Sequence, residues 1–147
     1  MKTVFDQSTR EELVGRTSSL EASCRAQWGK MNIYQMLKHC RMWEEMIFGK
    51  QKYKRQFLGF LFGKMVLKTL IKDEKPLKRN TPTITELKVT GDGDVDSEKI
   101  KWIALIEQYD HLSTIECDHP FFGKINKEQI GILAYKHADH HLRQFNK

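Results

Sequence analysis

The stretch HADHH (137–141) places three of the chain's six histidines in five residues, just ahead of a closing LRQF. Imidazoles at this density can bind a metal ion, move protons or simply end a helix. Geometry separates these readings. At about 100° per residue, Ile130, Ala134, His137 and His141 fall within roughly 60° of one another around a helix. His137 and His141 therefore occupy an apolar stripe where leucine would be expected, while His140 falls toward its edge. Residues four apart have Cβ atoms about 5–6 Å apart. Two such imidazoles can converge on one ion at metal–nitrogen distances of about 2.0–2.1 Å. A single core histidine is ordinarily satisfied by a hydrogen bond. Two on one inward face, each with two ring nitrogens to satisfy away from water, are costlier. The pair lacks the intervening glutamate that marks the metalloprotease motif.

A mononuclear site needs a third ligand from another element. His39 sits on the shoulder of an apolar helical face beside Met36 and Trp43. By periodicity His111 lies nearer the middle of its own stripe. His119, in the loop HPFFG, could reach a site from outside, and Cys40 and Cys117 are conceivable soft ligands. The alternatives stay open on spacing alone.

The elements that must position these groups read as helices. Ser8-x-x-Glu11, Asn32-x-x-Gln35 and Asn126-x-x-Gln129 each put a capping side chain three residues before an acid or amide, the signature of a capping box. Helical spacing of apolar residues follows: Ile33, Met36, Leu37, Cys40, Trp43 and Ile47 after Asn32; Ile130, Leu133, Ala134, His137, His141 and Phe145 after Asn126. A third run, after Asp96 and Ser97, reads Ile100, Ile103, Ala104, His111 and Ile115. With a segment from about 8 to 24 these make four principal helices, and the Phe-rich stretch at about 53–71 makes an additional one. Within that stretch Gly59-x-x-x-Gly63 has the spacing of a helix-dimer face. Residues 73–96 read as a long connection with a brief extended piece at 84–89. Asp92, Asp94 and Asp96 alternate like the opening of a calcium loop. The twelfth position from Asp92 is Ile103 rather than glutamate, so a turn feeding a helix cap is expected instead.

Composition bounds the rest. A chain of 147 residues, 39% hydrophobic, supports one domain spanning 1–147 and not two. The net charge of +6 is modest, so neither a nucleic acid nor a membrane is expected as partner. Three widely spaced cysteines without a paired pattern suit reduced thiols in a cytoplasm.

Three stretches together, WGKMNIYQMLKHC, HPFFGKI and HADHHLRQF, resemble the DinB/YfiT-like superfamily, and more narrowly a branch of uncharacterised function. The resemblance runs from about Trp28 to Phe145. It implies an all-α, up-down-down-up four-helix bundle that holds a divalent ion at one end. It also selects the ligands: one histidine from the second helix and two, four apart, from the last, here His39, His137 and His141, with His111 in reserve. His119, His140 and Arg143 are then expected to line the pocket or support the ligands. In many relatives arginine directly follows the second histidine; here Leu142 intervenes.

Three neutral imidazoles leave positions for water and substrate on zinc, nickel or iron, among which an imidazole set does not choose. Such an ion would generate hydroxide or thiolate near neutral pH. Characterised members of the wider superfamily include transferases that use low-molecular-weight thiols such as mycothiol or bacillithiol. The resemblance thus implies a metal-dependent thiol transferase or hydrolase acting on small molecules, with catalytic residues unassigned. The alternative is a non-catalytic metal-stabilised bundle or stress-response binding module. A homodimer is expected, with the Phe57–Leu70 helix at its interface.

Overall fold

The computed structural model describes residues 1–113 and 115–147. It is mostly helical, with five α-helices and one small hairpin: α1 Gln7–Ser18, α2 Ile33–Ile47, α3 Phe57–Leu70, α4 Val95–Gln108, β1 Cys117–His119, β2 Gly123–Ile125 and α5 Lys127–Gln144. Short 3₁₀ turns lie at Thr85–Leu87 and Tyr109–His111. Helix α2 lies against α4 and α5, and α1 packs on the same two helices. The core between them is built from Leu13, Met36, Leu37, Trp102, Ile106 and Ile130, all sealed from solvent.

Two of the three expected capping boxes form. Asn32 accepts the Gln35 N–H at 2.8 Å and Asn126 accepts the Gln129 N–H at 3.0 Å. In each the glutamine side chain answers the cap's own N–H. These boxes fix where α2 and α5 begin, and so the phase of every histidine downstream. Ser8 forms no such box. It lies inside α1, whose N-cap is Asp6 without a side-chain cap, and the helix ends at Ser18 rather than near 24.

Helix α4 is rotated from the expected phase. Its buried face is Glu98, Trp102, Leu105 and Ile106, continued by Tyr109, whereas Ile100 is 66% exposed. One indole at position 102 outweighs the smaller Ile100 and Ala104, because a fully buried aromatic removes the most apolar area from water. Asp94, not Asp96 or Ser97, caps the helix by accepting the Ser97 N–H at 2.9 Å. His111 falls beyond the helix, at the end of the 3₁₀ turn, and is exposed. The expected extended piece at 84–89 is centred instead on a 3₁₀ turn whose Leu87 is buried.

The HPFFG stretch is a hairpin rather than a simple loop. Cys117 pairs with Ile125, Asp118 with Lys124 and His119 with Gly123. Three residues connect the strands, and Gly123 at φ 76° supplies the left-handed position that such a connection requires. This hairpin receives α3. A Cβ on Gly59 would lie 2.4 Å from the Phe121 carbonyl oxygen, and one on Gly63 2.1 Å from it. The Gly59/Gly63 spacing therefore serves an internal contact, helix on hairpin. Arg55 fastens the same joint by donating to the carbonyls of His119, Pro120 and Gly59 at 3.1, 3.0 and 2.8 Å. At the far end of α3, the Lys136 ammonium donates to the carbonyls of Leu70, Asp73 and Lys75 at 2.7, 2.5 and 3.0 Å.

Candidate metal centre

His39 comes from the middle of α2, and His137 and His141 from successive turns of α5. One nitrogen from each ring lies within 4.8 Å of the others. His39 Nε2 and His137 Nε2 are 3.0 Å apart. Ring centroids are 5.1 Å apart for His39 and His137, 4.8 Å for His39 and His141, and 4.7 Å for His137 and His141. Ring planes cross at 53°, 69° and 78°, so the rings surround a point instead of stacking.

The hydrogen bonds behind the rings fix which nitrogens face inward. His39 Nδ1 lies 2.9 Å from the Leu87 carbonyl oxygen. A carbonyl only accepts, so Nδ1 carries the proton and Nε2 presents a lone pair. His141 Nδ1 lies 3.0 Å from Gln144 Oε1. The orientation of that amide is set in turn, because Gln144 Nε2 donates to the Trp28 carbonyl at 2.8 Å. His141 therefore also turns a bare Nε2 toward the cluster. A carbonyl or amide behind each imidazole is the usual support of a metal-ligating histidine, holding both tautomer and ring orientation. His137 has Trp43 stacked on its face, centroids 4.6 Å apart, and its buried Nδ1 has no partner.

The charge states agree with ligand duty. Burial lowers the pKa of all three rings, and proximity of other histidines lowers it further, most strongly for His137 and His141. The rings are therefore neutral. His39 Nε2 and His137 Nε2 stand at hydrogen-bonding distance, 3.0 Å, so without an ion one proton is shared between them, and a cation would take its place. Tetrahedral zinc–imidazole geometry separates ligand nitrogens by about 3.3 Å; here one pair is 3.0 Å apart and all three lie within 4.8 Å. The residues fit a divalent ion.

Of the other expected participants, His140 is buried beside the cluster, its ring edge-on to His141 at 5.1 Å between centroids and to Trp28 at 5.8 Å, and burial lowers its pKa. His119 sits in β1, where Nδ1 accepts the N–H groups of Phe121 and Phe122 at 3.1 and 3.2 Å; burial and then the nearby Arg55 push its pKa down to about 3. Arg143 donates to Asp139 at 2.8 Å rather than to any of the three histidines. Cys40 and Cys117 lie outside the cluster. Burial pushes both thiols up, Cys117 to about 11, so neither is poised as thiolate.

Gln144, Leu87, Trp43 and Trp28 complete the surroundings, and sequence reading assigned none of them a part. For Gln144 the signal was available: it stands three residues beyond His141, on the same helix face. The Leu87 carbonyl carries no such signal, since its approach depends on how the 73–94 connection folds back.

The model of the family described as Protein of unknown function (DUF1569) matches residues 5–147. The chain belongs to that family. No curated protein and no solved structure matches it. The matched span includes all three clustered histidines and both of their supporting groups.

Proposed function

We propose that this DUF1569 protein binds one divalent metal ion through His39, His137 and His141 and uses it in a thiol-transferase or hydrolase reaction on a small molecule. We further propose that it is a DinB-like protein whose α1, α2, α4 and α5 form the four principal rods of an up-down-down-up bundle, working in a cytoplasm. One observation carries the reading. Three rings from two helices aim at a common point, and two of them have Nδ1 committed to fixed acceptors, which turns their Nε2 lone pairs inward. Zinc, nickel and iron all suit three imidazoles.

An ion held there supplies Lewis acidity to a water or thiol that reaches it. The chain's residues do the rest. Leu87 and Gln144 hold two ligands in the required tautomer, Trp43 backs the third, and surrounding burial keeps all three imidazoles neutral at physiological pH. A non-catalytic, metal-stabilised protein is the second reading. It is favoured by the depth of the site, with His39 only 2% and His141 only 6% exposed.

Elemental analysis of tag-free protein beside the His137→Ala/His141→Ala double variant tests the first step. About one divalent ion per chain is expected in the wild type and essentially none in the variant; equal metal in both removes the proposal. Turnover of a low-molecular-weight thiol with an electrophile by the loaded wild type, absent from the variant, separates enzyme from metal-stabilised scaffold.

A further inference from the structure

Helix α3 presents to solvent the face that an ordinary surface helix would hide. Phe57 is 75% exposed, Leu58 61%, Phe60 74%, Leu61 54%, Phe62 48% and Met65 63%. At about 200 Å² per large side chain this amounts to roughly 700 Å² of apolar surface, above the few hundred usual for the largest patch on a monomer. The orientation is not free to change. The opposite face is Gly59, Gly63 and Leu67, and the two glycines seat directly on the Phe121 backbone, so the helix cannot roll its phenylalanines inward.

The charge around this face is equally one-sided. Residues 50–72 contain seven of the 25 basic residues and none of the 19 acidic ones. The remainder of the chain holds 18 basic against 19 acidic residues, a net −1, so the whole positive excess of the protein is gathered on the segment that carries the apolar face. Lys68 lies within that face by helical phase and Lys72 just beyond the helix end, both exposed, while Lys64 on its flank donates to the Lys124 carbonyl. Lysines so placed extend their ammonium groups away from an apolar surface on which their stems lie.

We propose that α3 is a docking surface for an anionic lipid bilayer, lying in the plane of the interface with Phe57, Leu61 and Met65 inserted and the flanking lysines on the headgroups. Apolar insertion combined with basic flanks is what holds an amphipathic helix at a membrane surface. No helix among the described residues is long and apolar enough to cross a membrane, so this contact is peripheral. The sequence reading expected no membrane and a second copy of the chain at this helix. Two-fold pairing of α3 would bring the basic segments together with no acid in either to offset them, whereas an anionic bilayer complements them. None of these observations involves the histidine cluster.

Cosedimentation with phosphatidylcholine vesicles, with and without phosphatidylglycerol, tests this on the full chain. Binding is expected to the anionic vesicles, and to weaken steeply with salt. Lys68→Gln/Lys72→Gln should reduce partitioning about fivefold for each lysine removed. Phe57→Ser/Phe60→Ser should reduce it at least about tenfold, with unchanged circular dichroism and melting confirming that both variants fold. Equal affinity for neutral vesicles, or unaltered binding by the variants, overturns the proposal. So does a lipid-free dimer, seen by sedimentation velocity, that binds no vesicles and that Phe57→Ser/Phe60→Ser dissociates. Binding to a single-stranded oligonucleotide in place of vesicles overturns it likewise.

Discussion

Helix α5 places three histidines among isoleucine, leucine and alanine, while α3 leaves three phenylalanines standing in water. Each arrangement costs free energy by itself. An unpaired buried polar group costs about 1–3 kcal/mol, and a large apolar side chain left in water forgoes about 1.5–3 kcal/mol of burial. The two differ in how the cost is met. In α5 part of it is met internally, by Gln144 behind His141, leaving the His141 lone pair and His137 Nδ1. In α3 little among the described residues offsets it, because the inward face is two glycines and Leu67. What remains unsatisfied in each region points to the kind of ligand that region suits: a small cation for one, an extended apolar and anionic surface for the other.

Breaking the α3 side of this contrast should have the largest effect. Gly63→Leu sets a side chain against the Phe121 backbone, which cannot rotate away, and should cost about 3 kcal/mol locally. Hydrogen exchange should show lost protection in α3 and the hairpin, with α2 and α5 unaffected. Protection retained in α3 would mean that the glycine seat is not what fixes the helix.

Glu44 sharpens the other side, being a buried polar group with no cation beside it. Burial pushes its carboxyl from 4.5 up to about 8, against the hydrogen bond donated by the Tyr109 hydroxyl. Between those values the folded chain holds a proton that the unfolded chain has released. Its contribution therefore declines as pH rises from about 4.5 to about 8 and is level above that. Glu44→Gln should stabilise the metal-free protein by up to about 3 kcal/mol at pH 7, the gain vanishing near pH 4.5. Urea unfolding of both proteins across pH, with chelator present, reads the difference; a gain independent of pH would remove the titration from the account.

Gln144→Ala should weaken metal binding by about 10- to 100-fold, since it frees His141 to choose either tautomer. Competition with a chelating dye measures it, and unchanged affinity would deny the amide its orienting part. Phe57→Ser/Phe60→Ser should change the midpoint of lipid-free urea unfolding least of all, by less than about 0.5 kcal/mol. A larger loss would show these rings to be packed.

Legibility in the sequence divided along the same physical line. The capping boxes at Asn32 and Asn126 and the 3.6-residue pattern after each were readable because cap, phase and burial all depend on neighbours within one helix. The inward position of His137 and His141 followed from the same spacing. Helix α4 misled, because Ile100 and Trp102 compete for the core and the partner helices decide between them. His39 over His111 came from resemblance rather than periodicity. The hairpin's own cue, proline followed three residues later by glycine, marks a loop on spacing alone and not the strands on either side of it. The side on which α3 turns its phenylalanines could not be read at all, since that depends on the Phe121 backbone some sixty residues away.

Lys136, whose three carbonyl bonds tether the far end of α3, immediately precedes His137 in the chain. A force that tilts α3 is thereby transmitted to the turn of α5 that carries a proposed ligand. If lipid, by favouring one seating of that lysine, changes cation affinity at the imidazoles, thermodynamic reciprocity requires that cation occupancy change vesicle affinity by the same factor. The two sites, chemically unrelated, would then report on each other.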